Sequence, residues 1–131
     1  MSSKRRKPRT AAQAAYYARL QIRRINEWTT GLTAETFETD YRTRYAVERA
    51  FIALGEAVKE LARAVDLMQI DPTGPWREPA RFRDFLAHDY DDQVIPTLIW
   101  KTITTGLSDL DAALSRVERA VGGPYDPDAV Q

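Results

Sequence analysis

Between Pro8 and Pro72 the chain carries no proline, and apolar residues recur there at steps of three to five. Proline breaks helix interiors, so a run this long without it, read with that period, points to helix. The clearest pattern is Val47, Phe51, Leu54, Val58, Leu61, Val65 and Met68, with Ala50, Ala57 and Ala64 widening the stripe. It predicts a long helix with one buried face, spaced for shallow crossing angles. Upstream, Tyr17, Leu20, Ile25 and Trp28 give a first helix over residues 10–29. Gly31 ends it, and Thr33 is placed to N-cap a short turn of helix through Phe37. Inside the best helix, Gly55 costs about 1 kcal/mol relative to alanine, which points to close approach by a neighbouring helix.

Asp71-Pro72-Thr73-Gly74-Pro75 forces a turn. A third helix is expected over residues 76–88, with Pro79 tolerable because it falls in the first turn. The acidic run Asp89-Tyr90-Asp91-Asp92 opposes the helix dipole, so this helix should stop or bend near His88. Pro96 suits the first position of a last long helix, whose stripe is Ile99, Ile103, Leu107, Leu110, Leu114, Val117 and Val121. Gly106 is a candidate kink within it, and Gly122-Gly123-Pro124 ends it. No segment alternates with period two. The expected fold is therefore all-α: an up-and-down four-helix bundle with an additional short helix. Residues 1–9 read as a flexible basic arm, 10–121 as the helical domain, and 122–131 as a polar tail.

Composition narrows the chemistry. The 131 residues include no cysteine and one histidine, His88. That removes disulfides, iron–sulfur clusters, thiolate zinc, cysteine nucleophiles and any site needing two imidazoles from one chain. No metal and no cofactor is expected. Nineteen basic residues balance nineteen acidic ones, yet residues 1–24 hold eight Lys or Arg and no carboxylate. The run Lys4, Arg5, Arg6, Lys7 and Arg9 reads either as a solubilising tail or as an arm touching RNA phosphates. No apolar stretch follows it, so neither a secretory signal nor a membrane span is expected, and the location should be cytoplasmic.

Chemistry-bearing residues concentrate in Arg81-Phe82-Arg83-Asp84-Phe85-Leu86-Ala87-His88-Asp89-Tyr90. Arg83 and His88 are five residues apart, about 140° around a regular helix. They converge on one substrate atom only if the helix ends near His88 or a second chain supplies one of them. A symmetric dimer would bring two histidines and two arginines to one cleft. Such a set suits RNA cleavage: a histidine of reference pKa ~6.5 moves protons near neutral pH, and an arginine clamps the phosphate. A lone histidine at a helix end is also a common structural cap.

Arg83-Asp84-Phe85-Leu86-Ala87-His88-Asp89-Tyr90 resembles the R-x4-H-x-Y motif of the HepT-like toxins, within the HEPN ribonuclease superfamily. Val47-Glu48-Arg49-Ala50 followed by Leu54-Gly55-Glu56-Ala57 is similar to the family's second-helix signature. Pro75-Trp76-Arg77-Glu78 resembles the approach to the motif helix, and Ile99-Trp100-Lys101-Thr102-Ile103 the last helix. The resemblance spans about residues 15 to 121. It implies a HEPN-like fold and a homodimeric, metal-independent endoribonuclease that leaves a 2′,3′-cyclic phosphate. It also implies the toxin role in a type VII toxin–antitoxin pair, with the homodimer open to assembly into a larger hetero-oligomer with the antitoxin. Arg83 and His88 would be the catalytic pair. Tyr90 would receive AMP from the antitoxin, a minimal (MntA-like) nucleotidyltransferase. Asp84 departs from the asparagine many members carry. A carboxylate there is unhelpful beside a phosphate unless it pairs with Arg83 or orients His88.

The alternative function is a non-catalytic helical module that binds the nucleotidyltransferase or RNA. Glu48, Arg49 and Glu56 read either as polar groups near the cleft or as solvated and interhelical ion pairs. Trp28, Trp76 and Trp100 read as core and interface anchors before base-stacking platforms, and Tyr16 and Tyr17 as packing residues. Asp91 and Asp92 read as a solvated loop, with contact to a basic antitoxin surface as the sharper alternative.

Overall fold

The computed structural model describes residues 7–88 and 95–129. The described residues form α1 (Ala11–Thr29), α2 (Ala34–Thr39), α3 (Tyr41–Ala64), α4 (Leu67–Ile70), α5 (Glu78–His88), α6 (Ile95–Thr105) and α7 (Leu107–Ala120). The fold is all-α, as the periodicity predicts. Helices α1, α3, α5 and the α6–α7 pair are the main members of the bundle, and α2 and α4 are short connectors. Among the described residues, no helix is long and apolar enough to cross a membrane.

Local chemistry sets the boundaries. Thr10 caps α1 by accepting from the Gln13 backbone N–H at 3.1 Å, while the Gln13 side chain accepts from the Thr10 N–H at 2.9 Å. This reciprocal box satisfies two otherwise orphaned donors. Gly31, at φ 81°, takes the left-handed turn after the helix that a side chain would resist. Thr33 and Thr36 form the same kind of box at the start of α2.

Three expectations are corrected. The stripe expected to run through Met68 ends early: Val65 is extended, and Asp66 accepts from the Gln69 N–H to start α4. A capping aspartate there offers the backbone an alternative to continuing α3, and Met68 is left exposed. The third helix begins at Glu78 rather than Trp76, because Trp76 folds back to donate from Nε1 to the Asp71 carbonyl at 2.8 Å. The last helix is two helices, parted at Gly106. Besides that glycine, the Thr102 and Thr105 hydroxyls bond the carbonyls of Leu98 and Lys101, four residues back. Such bonds loosen and bend a helix.

The buried face of α1 also differs from its expected stripe. Ala14, Ala15, Ala18, Ile22 and Ile25 are buried, whereas Trp28 is 43% exposed. Alanines carry little weight in an apolar stripe, yet they let α1 lie close on α3. Val47, Phe51, Leu54 and Leu61 of α3 and Leu110, Leu114 and Val117 of α7 complete the core. Each large side chain taken fully out of water there contributes about 1.5–3 kcal/mol.

Polar ties lock the outer helices. Arg19 of α1 bonds Asp111 at 2.9 Å and Glu118 at 2.7 Å, two residues on one face of α7. Its guanidinium is held charged first by the Asp111 hydrogen bond. Asp71 accepts from Arg116 of α7 at 2.7 Å and from the Thr73 hydroxyl at 2.9 Å. Trp100 lies against Phe37, centroids 5.3 Å apart, so Trp76 and Trp100 are packing residues as read from the sequence.

Candidate active site

The site is built where α5 crosses α3. Phe51 meets Phe82 edge-on at 4.8 Å, and Leu86 is buried on the same side of α5. These apolar contacts fix the rotation of α5 and leave Arg83 at the margin of the crossing. The approach is very close there. A Cβ built on Gly55 would lie 2.8 Å from the Arg83 Cβ and 2.9 Å from the Pro79 carbonyl oxygen. The glycine read from sequence as a mark of close helix approach is therefore the floor beneath Arg83.

Arg83 is 17% exposed at its side chain. Its Nη1 donates to Glu56 of α3, and its Nη2 donates to Asp84 at 2.9 Å, with Nε contributing at 3.3 Å to the same oxygen. The Asp84 hydrogen bond, followed among the favourable influences by the charge of Glu56, raises the guanidinium above its ordinary value. It is a permanent cation, and both sides of its fork are occupied by carboxylates. Those carboxylates are more than half exposed, at 54% for Glu56 and 60% for Asp84, so both can swing into water.

Asp84 thus takes the role that makes a carboxylate tolerable here, pairing with Arg83. Glu56, left open in the sequence as a cleft group or an interhelical ion pair, makes an interhelical ion pair with the site arginine. Glu48 is buried on the same helix and Arg49 is exposed. His88 is the last residue of α5. The His88 side chain lies outside the described residues, as do Tyr90 and the acidic stretch Asp89, Asp91 and Asp92. Arg83, Asp84 and Glu56 are the site residues the structure brings together.

Glu60 was not singled out from the sequence, and Arg9 was read only as one member of the basic run. Arg9 of the basic run donates to Glu60 of α3 at 3.2 Å and lies 4.3 Å over the Tyr17 ring. Glu56 and Glu60, four apart, share one face of α3. That spacing was visible in the sequence, but the partner of Glu60 is fifty-one residues away. Tyr16 and Tyr17 are packing residues, meeting each other edge-on at 5.0 Å and gathering Tyr125 of the C-terminal segment onto α1.

An arginine seated on a close helix crossing and framed by exposed carboxylates can bind a phosphate diester, and the same helix ends at His88. Residues 18–117 match the family model described as "Ribonuclease HepT-like". A protein of Thermococcus cleftensis named "Probable ribonuclease HepT" is 35% identical over 98 residues, covering 75% of this chain and 86% of that protein. One of Methanocaldococcus jannaschii named "Putative RNase MJ0127" is 28% identical over 115 residues, covering 85% and 93%. No solved structure gives a significant match.

Proposed function

Because this chain belongs to the HepT-like ribonuclease family, we propose that it is an endoribonuclease toxin of a type VII toxin–antitoxin pair, working without a metal ion in a cleft shared by two copies. The observation that carries this reading is the seating of Arg83. Its backbone is pressed onto Gly55 and its guanidinium is presented at the rim of the α3–α5 crossing. Two exposed carboxylates hold it in place, and a phosphate takes the same donors in a bidentate, charge-assisted fork when they swing away.

The reaction needs two proton movements. One His88 imidazole takes the 2′-hydroxyl proton as the 2′-oxygen attacks phosphorus. The partner copy's imidazole, protonated, gives its proton to the departing 5′-oxygen. The P–O5′ bond breaks, leaving a 2′,3′-cyclic phosphate and a 5′-hydroxyl. Arg83 neutralises charge building on the non-bridging oxygens, where pre-placed donors act most strongly. One histidine per chain suffices because the symmetric cleft holds two.

Control comes from a minimal nucleotidyltransferase that transfers AMP to Tyr90, two residues beyond His88. The first transfer joins the tyrosine oxygen, which loses its proton, to the α-phosphate of ATP and releases pyrophosphate. The new phosphodiester brings negative charge and bulk to a site that must accept a polyanion. The rival reading, a non-catalytic binding module, is favoured by one observation: both sides of Arg83's fork are already engaged.

Product analysis tests the proposal. In EDTA, cut RNA should carry 2′,3′-cyclic phosphate ends, and 3′-hydroxyl ends would exclude this chemistry. With the nucleotidyltransferase and ATP, intact mass should rise in multiples of one AMP, and Tyr90→Phe should not be modified. Modification persisting in that variant would place the target elsewhere.

A further inference from the structure

Between α3 and the start of α5 lies an open groove of about 400 Å³ whose walls carry Lys59, Arg77, Arg81, Arg83 and Asp84. The space exists because small residues line both helices there, Ala62 on α3 and Ala80 on α5. Trp76 also lines the groove and is held in place, donating from Nε1 to the Asp71 carbonyl at 2.8 Å. Gly74 lies so close to the indole ring that a Cβ there would overlap it. The groove is therefore built on a packed part of the bundle, and one of its walls is the site arginine.

Its charge is one-sided. Asp84 is already paired with Arg83 at 2.9 Å. Arg81 reaches Glu78 only at 3.8 Å, and both side chains are about two-thirds exposed, so that pair is worth little in water. Among the described residues, no ion pair holds Lys59 or Arg77, and both are exposed. Glu56, the other carboxylate on Arg83, lines a different groove. Arg77 and Arg81 precede Arg83 in the chain and His88 follows it, so the cations extend from Arg83 toward the N-terminal end of α5. A cleft lined by one sign of charge concentrates the opposite charge within it.

We infer that this groove is a subsite for the substrate strand, where Lys59, Arg77 and Arg81 hold phosphates flanking the one at Arg83. The inference rests on the ribonuclease reading above. Its ligand is the phosphate backbone of single-stranded RNA, taken without base preference because the contacts are charge on charge. A strand fits better than an acidic protein surface because the groove is concave and continuous with the arginine that takes the scissile phosphate.

The test uses the full chain with Lys59→Gln, Arg77→Gln and Arg81→Gln combined. Binding is measured across a salt series with a 2′-O-methyl oligoribonucleotide, which has no 2′-hydroxyl proton to lose and is not cut. Three lost contacts should lower the slope of log Kd against log salt by about 2. For cleavable RNA, KM should rise about tenfold, well beyond any fall in kcat, as expected when contacts are uniform between ground and transition states. Swapping the cations instead, with Lys59→Arg, Arg77→Lys and Arg81→Lys, should keep both near wild type. A matched control, Arg23→Gln, Arg24→Gln and Arg119→Gln, removes three exposed cations of α1 and α7 and should change neither. An equal fall in the control would make the binding diffuse and overturn the inference. An unchanged slope and KM in the groove variant, in a preparation whose wild type cuts RNA, overturns it and leaves the ribonuclease reading standing. Loss of the dimer in the groove variant, or unchanged RNA binding with lost capture of the nucleotidyltransferase, would assign the groove to a protein partner and overturn it too. A wild type that neither binds nor cuts RNA overturns the ribonuclease reading and this inference with it.

Discussion

Gly55 of α3 lies directly beneath Arg83 of α5: a Cβ at residue 55 would come within 2.8 Å of the Arg83 Cβ. The glycine that weakens α3 as a helix is what lets α5 bring its arginine against it.

Gly55→Ala follows from that relationship. Alanine improves helix propensity by about 1 kcal/mol, but overpacking against a backbone carbonyl at 2.9 Å costs about 1–3 kcal/mol. The expected net effect is a loss of up to about 2 kcal/mol, with activity falling further because Arg83 is displaced. Urea denaturation and RNA cleavage below the unfolding midpoint check the two parts.

Glu56→Gln separates holding Arg83 from competing for it. Removing the charge lets a phosphate take the guanidinium more readily, so RNA affinity should rise at low salt. The advantage should shrink as salt screens these exposed groups. A loss of affinity in the salt series would mean that Glu56 is needed to aim Arg83.

Asp71 predicts an acid limb to stability. Its carboxyl is held below the ordinary aspartate value, first by the Arg116 hydrogen bond and then by that of Thr73. A depressed folded-state value means the contribution is present above about pH 4, the unfolded value, and is lost as pH falls through the lower folded value. Thermal melts between about pH 6 and 2 should therefore show a shallower acid decline in Asp71→Asn than in wild type. Identical declines would place the acid sensitivity elsewhere.

Much of this was legible because it is written in local pattern. The period-3.6 apolar stripe of α3, the caps at Thr10 and Thr33 and the turn at residues 71–75 need only neighbours in the chain. The stripe misjudged α1, because Ala14, Ala15 and Ala18 bury a face without looking hydrophobic. It overran at Val65, where a capping aspartate outweighed apolar spacing. At the candidate site, the motif named Arg83 and Asp84, which the structure pairs, and Gly55 betrayed the close crossing. The pairing of Glu56 with Arg83 and of Glu60 with Arg9 stayed hidden, since both join residues more than twenty positions apart. Charge spacing on one helix names candidates for such pairs, and only packing chooses among them.

Cleavage of a structured RNA in EDTA by the wild type, Arg83→Ala and His88→Ala proteins tests the central claim most directly. Wild type should cut, and each variant should lose at least about a hundredfold in rate, as removal of a general acid–base group or a charge-stabilising donor does. A His88→Ala protein that cuts as fast as wild type would contradict the account.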